Sequence, residues 1–251
     1  MPAKIIAHRG ANKIAPENTM PAFALAKEMG ANGFENDVHM TADGVIVVCH
    51  DDTIDKTSDG SGLINGMTLS QLHQYDFGSY FSTDFAGTKI PTLREFYALA
   101  KGLEVINVEI KRPANGDYAI VGGVIAMAKE TGVFNELLIS SFDEDVLEKA
   151  FEIEPECKTA LLYSPAVTNI DKIAADPVAY AKGLYADAIH PMYLMVDGEL
   201  VKNAHENGLE VNPWVINHPD AIAMLIEMGC DGIITDVPDV ALSLLNAGVK
   251  G

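Results

Sequence analysis

The sequence predicts an α/β fold, a (β/α)8 barrel that carries an extra hairpin arm and a short insertion. The first observation is an alternation of short apolar runs with longer amphipathic runs, which is typical of βα units. The second is that the 251 residues offer eight parallel strand candidates, each followed by a helix. The third is that no GxGxxG motif opens the first helix, so an open, doubly wound dinucleotide-binding sheet lacks support.

Each strand candidate is an apolar run bounded by turn or polar residues. The eight runs lie at residues 4–7, 33–38, 105–110, 137–141, 159–163, 185–190, 210–215 and 232–235. The helices begin at capping residues or proline and mostly stop near glycine, which gives the ranges 21–30, 92–102, 118–131, 143–153, 170–182, 198–207, 219–228 and 238–246. Asn18 or Thr19 is expected to cap the first helix and Asp143 the fourth, and Thr92 with Glu95 has the spacing of a capping box.

A further apolar run, residues 45–49, follows the second strand after only six residues. A parallel crossover needs about a dozen residues or more, so this run is predicted to return antiparallel to the second strand. The resulting hairpin arm would bring His50 close to Glu35 and Asp37.

Residues 52–91 break the alternation, and we interpret them as a small insertion over the top of a single barrel domain spanning residues 1–251. Thr68 and Gln71 have capping-box spacing and predict a short helix there. Two interpretations of the aromatic residues remain open, a small satellite core or a wall of the substrate pocket. These residues are Tyr75, Phe77, Tyr80, Phe81 and Phe85.

The composition is that of an ordinary globular protein, with 48% hydrophobic and 21% charged residues, but the net charge is −19. Such a negative field repels nucleic acid and anionic membrane surfaces, so neither is expected as a partner. No signal peptide and no apolar span of about 20 residues is visible, which favours a cytoplasmic protein. The three separated cysteines form no CxxC pair and are expected to be buried hydrophobic residues. The oligomeric state is not predicted.

The unusual polar residues fall at the ends of the predicted strands, where a barrel carries its active site. Glu35 and Asp37 are two residues apart, so on a strand they point to the same side, and Glu109 ends the third strand. Buried carboxylates need a compensating cation, and an all-oxygen set suits Mg²⁺ or Ca²⁺ better than Zn²⁺. The three residues are therefore the candidate ligands of a divalent cation.

The same strand ends supply positive and titratable side chains. Arg9 and Lys111, together with a metal, would provide the charge that a phosphate group requires in an otherwise acidic protein. His8 and His50 can act as a pair, one imidazole accepting a proton and the other donating one, as cleavage of a phosphodiester requires.

Two further strand-end residues, His190 and Trp214, allow two interpretations: substrate-lining side chains, or a hydrogen-bonded histidine and a packed indole. The remaining histidines are interpreted as surface or turn residues. They are His39, His73, His205 and His218.

Taken in order, these residues resemble the glycerophosphodiester phosphodiesterase family, and the similarity runs almost from end to end. The motifs that carry it are His8-Arg9-Gly10, Pro16-Glu17-Asn18-Thr19, Glu35-x-Asp37, His50-Asp51, Asn107-Val108-Glu109-Ile110-Lys111, Ile139-Ser140-Ser141-Phe142, His190-Pro191, Pro213-Trp214 and Gly232-Ile233-Ile234-Thr235-Asp236. Asn36 departs from the pattern, because an apolar residue packing against a helix is expected there.

The resemblance implies a TIM barrel of the phospholipase-C-like phosphodiesterase type that hydrolyses glycerophosphodiesters, such as glycerophosphocholine or glycerophosphoethanolamine, to glycerol 3-phosphate and an alcohol. It assigns acid–base catalysis to His8 and His50, a divalent metal to Glu35, Asp37 and Glu109, and phosphate contacts to Arg9 and Lys111. Two alternatives remain: a lysophospholipase D or cyclising phosphodiesterase acting on lipids, and a non-catalytic binding protein for phosphorylated glycerol compounds.

Overall fold

Nine strands are present in the part of the chain that the computed structural model describes, residues 2–113 and 116–248. They are β1 (Lys4–His8), β2 (Gly33–Met40), β3 (Ile46–Val48), β4 (Val105–Ile110), β5 (Leu137–Ser141), β6 (Lys158–Tyr163), β7 (Ala188–Pro191), β8 (Glu210–Val211) and β9 (Gly232–Thr235). All except β3 are parallel, in the spatial order β8-β7-β6-β5-β4-β2-β1-β9.

Backbone hydrogen bonds join the two end strands of this order. The amide of Asp231 donates to the Val211 carbonyl over 3.0 Å, and the amide of Ile234 donates to the Pro213 carbonyl over 3.1 Å. The parallel sheet is therefore a nearly closed eight-stranded barrel, and the predicted fold class is confirmed.

Helices cover the outside of this barrel, apart from one short helix in the insertion. They are α1 (Met20–Met29), α2 (Leu69–Leu72), α3 (Leu93–Ala100), α4 (Ala119–Thr131), α5 (Glu144–Ile153), α6 (Ile170–Ala175), α7 (Pro177–Gly183), α8 (Gly198–Glu206), α9 (Pro219–Glu227) and α10 (Pro238–Gly248). Their apolar faces pack on the outward side chains of the strands in two large buried clusters, one on each half of the barrel. In the first cluster the ring of Phe23 packs edge-on against Phe96, with centroids 4.7 Å apart. No helix of the described residues is long and apolar enough to cross a membrane.

The predicted hairpin arm is confirmed. Strand β3 pairs antiparallel with β2, with Val38 opposite Val48. The amide of Cys49 donates to the Asp37 carbonyl over 3.0 Å, so the chain leaves the arm beside the metal-ligand candidates. This pairing places His50 at the barrel mouth.

The segment between the arm and α3 forms a satellite core, which is one of the two interpretations left open for its aromatic residues. Buried side chains of the arm pack there with Ile54, Ile64, Leu72 and Phe77. Tyr75 packs at the edge of this cluster, whereas Tyr80 and Phe81 are exposed. Both predicted capping boxes are present, Thr68 with Gln71 on α2 and Thr92 with Glu95 on α3.

The barrel interior changes from apolar to polar toward the carboxyl ends of the strands. A buried apolar layer forms the floor and consists of Ile6, Val105, Leu138, Ala160, Ala188 and Ile234. Because residues two apart on a strand share a face, the next inward layer contains His8, Asn107, Ser140, His190 and Asp236. The polar groups therefore form a layer above an apolar floor.

Four local predictions are corrected. The predicted helix 170–182 is divided into α6 and α7, because Pro177 cannot continue a helix and Asp176 has a non-helical backbone. The Asp176 side chain caps α7 by accepting from the backbone amide of Ala179 over 2.9 Å. Strand β7 begins at Ala188 rather than at residue 185, since Tyr185 has a φ of 59°. Strand β8 ends at Val211, shortly before Pro213, which has no amide hydrogen for a sheet bond.

The fourth correction concerns two helix caps. Neither side chain of Asn18 and Thr19 caps α1, and Asp143 makes no capping bond to α5. The Thr19 hydroxyl donates to the Pro16 carbonyl over 2.6 Å, and Asp143 accepts instead from Tyr118 over 2.9 Å. Each side chain has another partner in place of the backbone of its own helix.

Asn36 is fully buried on β2, and both polar atoms of its amide are without a hydrogen-bond partner among the described residues. An unpaired buried amide costs about 1–3 kcal/mol. Asn36 points away from the barrel interior, whereas its neighbours Glu35 and Asp37 face it.

Candidate active site

A cavity of about 810 Å³ opens at the carboxyl ends of the barrel strands. Of the nine predicted site residues, all except Asp37 line it: His8, Arg9, Glu35, His50, Glu109, Lys111, His190 and Trp214. Asp37 lies fully buried beneath the wall. None of the five aromatic residues of the insertion is among the described lining residues, and only Phe77 and Tyr75 belong to the satellite core.

The three predicted metal ligands come together at one side of this cavity. One carboxylate oxygen from each of Glu35, Asp37 and Glu109 lies within 4.8 Å of the others. The β2–β4 register explains the geometry, because it places Asp37 beside Glu109 and Glu35 two positions earlier on the same face. Three converging carboxylate oxygens fit a hard divalent cation.

The electrostatics of the three carboxylates show how strongly this site needs positive charge. Burial raises the pKa of Glu35 well above its ordinary value, and the charges of Asp37 and Glu109 raise it further. Burial also raises the pKa of Asp37, but Lys111 and Arg9 outweigh it and hold that pKa below its ordinary value. The two basic side chains thus keep one carboxylate ionised while the charge of the cluster remains only partly balanced.

Lys111 contacts two of these carboxylates directly, with its Nζ 2.8 Å from Asp37 Oδ1 and 2.6 Å from Glu109 Oε1. Arg9 lies on the other side of Asp37, with Nε 3.4 Å from Oδ2. Arg9 adopts a φ of 56°, and its amide donates to the Glu35 carbonyl over 2.9 Å. A residue other than glycine in this region is strained, and such strain is found at functional sites.

His8 is held by a carboxylate that the sequence alone did not assign to the site. Its Nδ1 lies 2.6 Å from Asp236 Oδ1, and its Nε2 lies 3.9 Å from Glu35 Oε2. Asp236 also accepts from the amides of Asn12, over 2.6 Å, and Asn217, over 2.7 Å. Since a carboxylate accepts, Nδ1 carries the proton and Nε2 is free to face the cavity.

His50 has a similar but more open arrangement. Its Nδ1 lies 2.5 Å from Asp51 Oδ1, and both side chains are about one-third exposed. Burial lowers the pKa of His50 despite the nearby Asp37. His39 was expected at the surface or in a turn, but it lies on β2 and is partly buried, and its Nε2 donates to the His50 carbonyl over 3.2 Å.

Two further site residues belong to the loop between β1 and α1. Glu17 accepts from Arg9 Nη1 over 3.0 Å, and the side-chain amide of Asn18 donates from Nδ2 to Asp37 Oδ2 over 2.9 Å. Asn18 has a φ of 57°, as Arg9 has a positive φ. The Pro-Glu-Asn-Thr motif was visible in the sequence, but the sequence alone showed no reason to prefer these contacts over a helix cap.

His190 and Trp214 border the cavity on the side away from the carboxylates. Trp214 Nε1 donates to the His190 carbonyl over 2.7 Å, and the indole packs edge-on against Phe142 at 5.5 Å. His190 is fully buried, and burial lowers its pKa to about 3. Its Nε2 lies 3.1 Å from Nδ2 of Asn212, which donates, so the neutral ring carries its proton on Nδ1.

Comparison with known proteins agrees with this geometry. The model of the Glycerophosphoryl diester phosphodiesterase family matches residues 8–240. A glycerophosphodiester phosphodiesterase of Caldanaerobacter subterraneus subsp. tengcongensis is 36% identical over 249 residues, which cover 99% of this chain and 100% of the relative.

Two solved structures share the fold along nearly their whole length. A phosphodiesterase of Oleispira antarctica in complex with the product sn-glycerol-3-phosphate has a TM-score of 0.87 at 27% identity, covering 98% of this chain and 97% of the other. A glycerophosphodiester phosphodiesterase of Agrobacterium tumefaciens has a TM-score of 0.81 at 28% identity, covering 96% and 99%.

Proposed function

The chain belongs to the glycerophosphoryl diester phosphodiesterase family and is a phosphodiesterase, and from this premise we propose how its residues carry out the reaction. The substrate is a glycerophosphodiester, which is hydrolysed to glycerol 3-phosphate and an alcohol. A divalent cation and two histidines catalyse the cleavage of the phosphodiester bond. The observation that supports this proposal most directly is that His8, His50 and two of the three clustered carboxylates border one cavity.

Glu35, Asp37 and Glu109 would hold the metal, because one oxygen from each already lies within 4.8 Å of the others. The all-oxygen set suits Mg²⁺ or Ca²⁺. When bound, such an ion polarises a phosphoryl oxygen and offsets the negative charge that develops during cleavage.

Arg9 and Lys111 would bind the phosphate. Both line the cavity beside the carboxylates, and both carry a fixed positive charge. Their present partners, Glu17, Asp37 and Glu109, hold the two side chains at the cavity wall and set their orientation.

His8 and His50 would act as the acid and base. Each has its Nδ1 hydrogen-bonded to a carboxylate, which leaves Nε2 as the nitrogen available for proton transfer. One imidazole accepts the proton of the attacking group, which is water or the substrate's own 2-hydroxyl. The other gives a proton to the departing alkoxide.

The metal assignment is tested with a panel of glycerophosphodiesters, reading the release of glycerol 3-phosphate before and after treatment with EDTA. We expect EDTA to abolish hydrolysis and Mg²⁺ or Ca²⁺ to restore it. Calorimetric titration should show weaker metal binding for Glu109→Gln than for Glu104→Gln, an exposed residue at the other end of β4. Full activity after EDTA, or equal metal affinity of the two variants, contradicts the metal assignment.

The two histidines are tested with His8→Ala and His50→Ala, and we expect each to lower kcat by about 10²–10⁴-fold. A phosphodiester substrate with a nitrophenyl leaving group needs no acid catalyst. It should restore kcat only in the variant that has lost the acid. The exposed His205→Ala serves as the control. Rescue of both variants or of neither contradicts the division of roles.

Two alternatives are tested by adding lysophospholipids to the panel, by reading the release of the alcohol as well as of glycerol 3-phosphate, and by measuring the binding of glycerol 3-phosphate. Hydrolysis of lysophospholipids in preference to glycerophosphodiesters would support a lipid phosphodiesterase. Tight binding of glycerol 3-phosphate without turnover of any diester would support a binding protein.

A further inference from the structure

The insertion, residues 52–91, contributes no side chain to the described lining of the active-site cavity. It contacts the loop between β1 and α1 instead. The phenol oxygen of Tyr80 accepts from the backbone amide of Glu17 over 3.1 Å, and Lys56 Nζ lies 3.5 Å from Glu17 Oε1. Because Glu17 in turn binds Arg9, which lines the cavity, these two contacts connect the insertion to the active site.

Glu17 orients the guanidinium group of Arg9. Its Oε1 accepts from Arg9 Nη1 over 3.0 Å, which is a charge-assisted hydrogen bond. Arg9 Nε lies 3.4 Å from Asp37 Oδ2, but it is buried and forms no hydrogen bond with the described residues. The direction in which the guanidinium group points therefore depends on the position of the Glu17 carboxylate.

The turn that carries Tyr80 is held by one carboxylate. Asp76 accepts from three backbone amides of this turn over 2.7–3.0 Å and from the Ser79 hydroxyl over 2.7 Å. The three amides belong to Gly78, Ser79 and Gly87. A Cβ at Gly78 would lie 1.9 Å from a backbone carbonyl oxygen of the same turn, so the packing there is close. Tyr80 is therefore carried by a well-ordered turn.

The loop that Tyr80 contacts is strained at two positions. Arg9 has a φ of 56° and Asn18 has a φ of 57°, and Glu17 lies between them in the sequence. Residues other than glycine keep this conformation only where the surrounding structure imposes it. The contacts of Tyr80 and Lys56 with Glu17 are part of that surrounding structure.

We propose that the insertion is a positioning element of the phosphate site, in which Tyr80 and Lys56 hold Glu17 and Glu17 directs Arg9 toward the phosphate. This proposal rests on the proposed function, which places the phosphate at Arg9. The phenol of Tyr80 holds the backbone of Glu17, and Lys56 shares the carboxylate oxygen that binds Arg9. Lys56 is exposed, and an exposed ion pair contributes little by itself, so most of the effect belongs to Tyr80.

A double-mutant cycle separates positioning of Arg9 from general support of the fold. For hydrolysis of glycerophosphocholine, we expect Glu17→Gln to lower kcat/KM by about tenfold and Tyr80→Phe by about threefold, since a charged and a neutral hydrogen bond are weakened. In an Arg9→Met background there is no guanidinium group to direct. Each of the two substitutions should then change kcat/KM by less than about twofold.

Two matched controls remove the same chemical groups away from the cavity. Glu28→Gln neutralises an exposed carboxylate on α1, and Tyr185→Phe removes the hydroxyl of an exposed tyrosine that precedes β7. Both should leave kcat/KM unchanged in the wild-type and in the Arg9→Met background. Urea unfolding of every variant shows that the compared proteins are folded.

Equal losses in the wild-type and Arg9→Met backgrounds overturn the proposal, because a side chain that only supports the fold acts without Arg9. An unchanged kcat/KM in either Glu17→Gln or Tyr80→Phe overturns it as well. These outcomes leave the proposed function intact as long as Arg9→Met itself lowers kcat/KM. If Arg9→Met has no effect, the phosphate does not lie at Arg9, and both proposals fail.

Binding gives the same cycle without turnover, because Trp214 is the only tryptophan of the chain and lines the cavity. Quenching of its fluorescence by sn-glycerol 3-phosphate measures the affinity of each variant. If no diester is hydrolysed, the proposed hydrolysis fails. Weaker binding in Glu17→Gln and Tyr80→Phe that disappears in the Arg9→Met background then still supports the positioning role, and equal affinities overturn it.

Discussion

At the scale of single residues, the two histidines differ in how firmly they are held. Asp236 is mostly buried and binds His8 together with Asn12 and Asn217. Asp51 is more exposed, and its side chain bonds to His50 alone among the described contacts. His8 is therefore the more rigidly oriented imidazole, and its tautomer depends on one carboxylate.

Asp236→Asn tests this dependence. An amide can donate to Nδ1 and stabilise the wrong tautomer, so we expect kcat to fall by about 10²-fold or more while KM changes little. Steady-state kinetics across pH measure the effect. Asp239→Asn, an exposed residue three positions later, is the control. If kcat is unchanged by Asp236→Asn, His8 does not need this partner.

Arg9→Lys tests the geometry of the phosphate site. Arginine contacts both Glu17 and Asp37 from different nitrogens, and a lysine keeps the charge without this planar fork. We expect kcat/KM to fall by an amount equivalent to roughly 1.5–3 kcal/mol of lost charged hydrogen bonding. Arg94→Lys, in an exposed pair with Glu130, should have no effect on kinetics. An unaltered kcat/KM for Arg9→Lys places this side chain outside the phosphate site.

At the scale of elements, the β1–α1 loop holds the site because it packs tightly on its own helix. Gly10 has a φ of +81°, and a Cβ there would lie 2.6 Å from the Ala22 backbone carbon. The backbone amide of Asn18 donates to the Arg9 carbonyl over 3.1 Å and closes the loop. Gly10 therefore allows Arg9 and Asn18 to reach Asp37 from the same loop.

Gly10→Ala should lower the free energy of unfolding by roughly 2–4 kcal/mol, because an alanine adds both a strained φ and a backbone clash. Gly44→Ala is a matched control, since Gly44 has a φ of +79° but a Cβ there would meet none of the described residues within 4 Å. The free energy of unfolding of Gly44→Ala should fall by only about 1 kcal/mol, the cost of the strained φ alone. Urea unfolding measures both, and equal losses would show that the contact with Ala22 is easily relieved.

At the scale of the whole molecule, the stability of the barrel should depend on pH through its buried histidine. His190 has a folded-state pKa of about 3. The pKa of an unfolded histidine is about 6.5, so below that pH the unfolded chain binds a proton that the folded chain does not. His190 therefore does not lower the free energy of unfolding above pH about 6.5. Below that pH the free energy of unfolding falls as the pH drops toward the folded-state pKa.

Urea unfolding at pH 7.5 and 5.0 tests this prediction. The loss on acidification should be smaller in His190→Asn than in the wild type, by about 1.4 kcal/mol per pH unit below the unfolded pKa. Because the carboxylates also titrate, the free energy of unfolding is compared between the variant and the wild type at each pH. His218 is exposed, so His218→Gln should lose as much free energy of unfolding on acidification as the wild type does. The same pH dependence in His190→Asn and the wild type contradicts the prediction.

The barrel and the grouping of most candidate site residues could be predicted from the sequence because both depend on local patterns. The alternation of apolar runs with helices determines the βα units, and the two-residue period of a strand places Glu35, Asp37 and Glu109 on inward faces. The six-residue link after β2 allowed only an antiparallel return, so the position of His50 was also predictable. Parallel strands bring their carboxyl ends together, which gathers these residues at one mouth.

Only the tertiary structure decided which side chains become partners. His8 and Asp236 are 228 positions apart and meet because closure of the barrel places β9 beside β1. Asn18 binds Asp37 rather than capping α1, and Asp143 binds Tyr118 rather than capping α5. A local pattern shows that a side chain can form a hydrogen bond, but the choice among partners depends on strand register, barrel closure and burial, which the whole chain determines together.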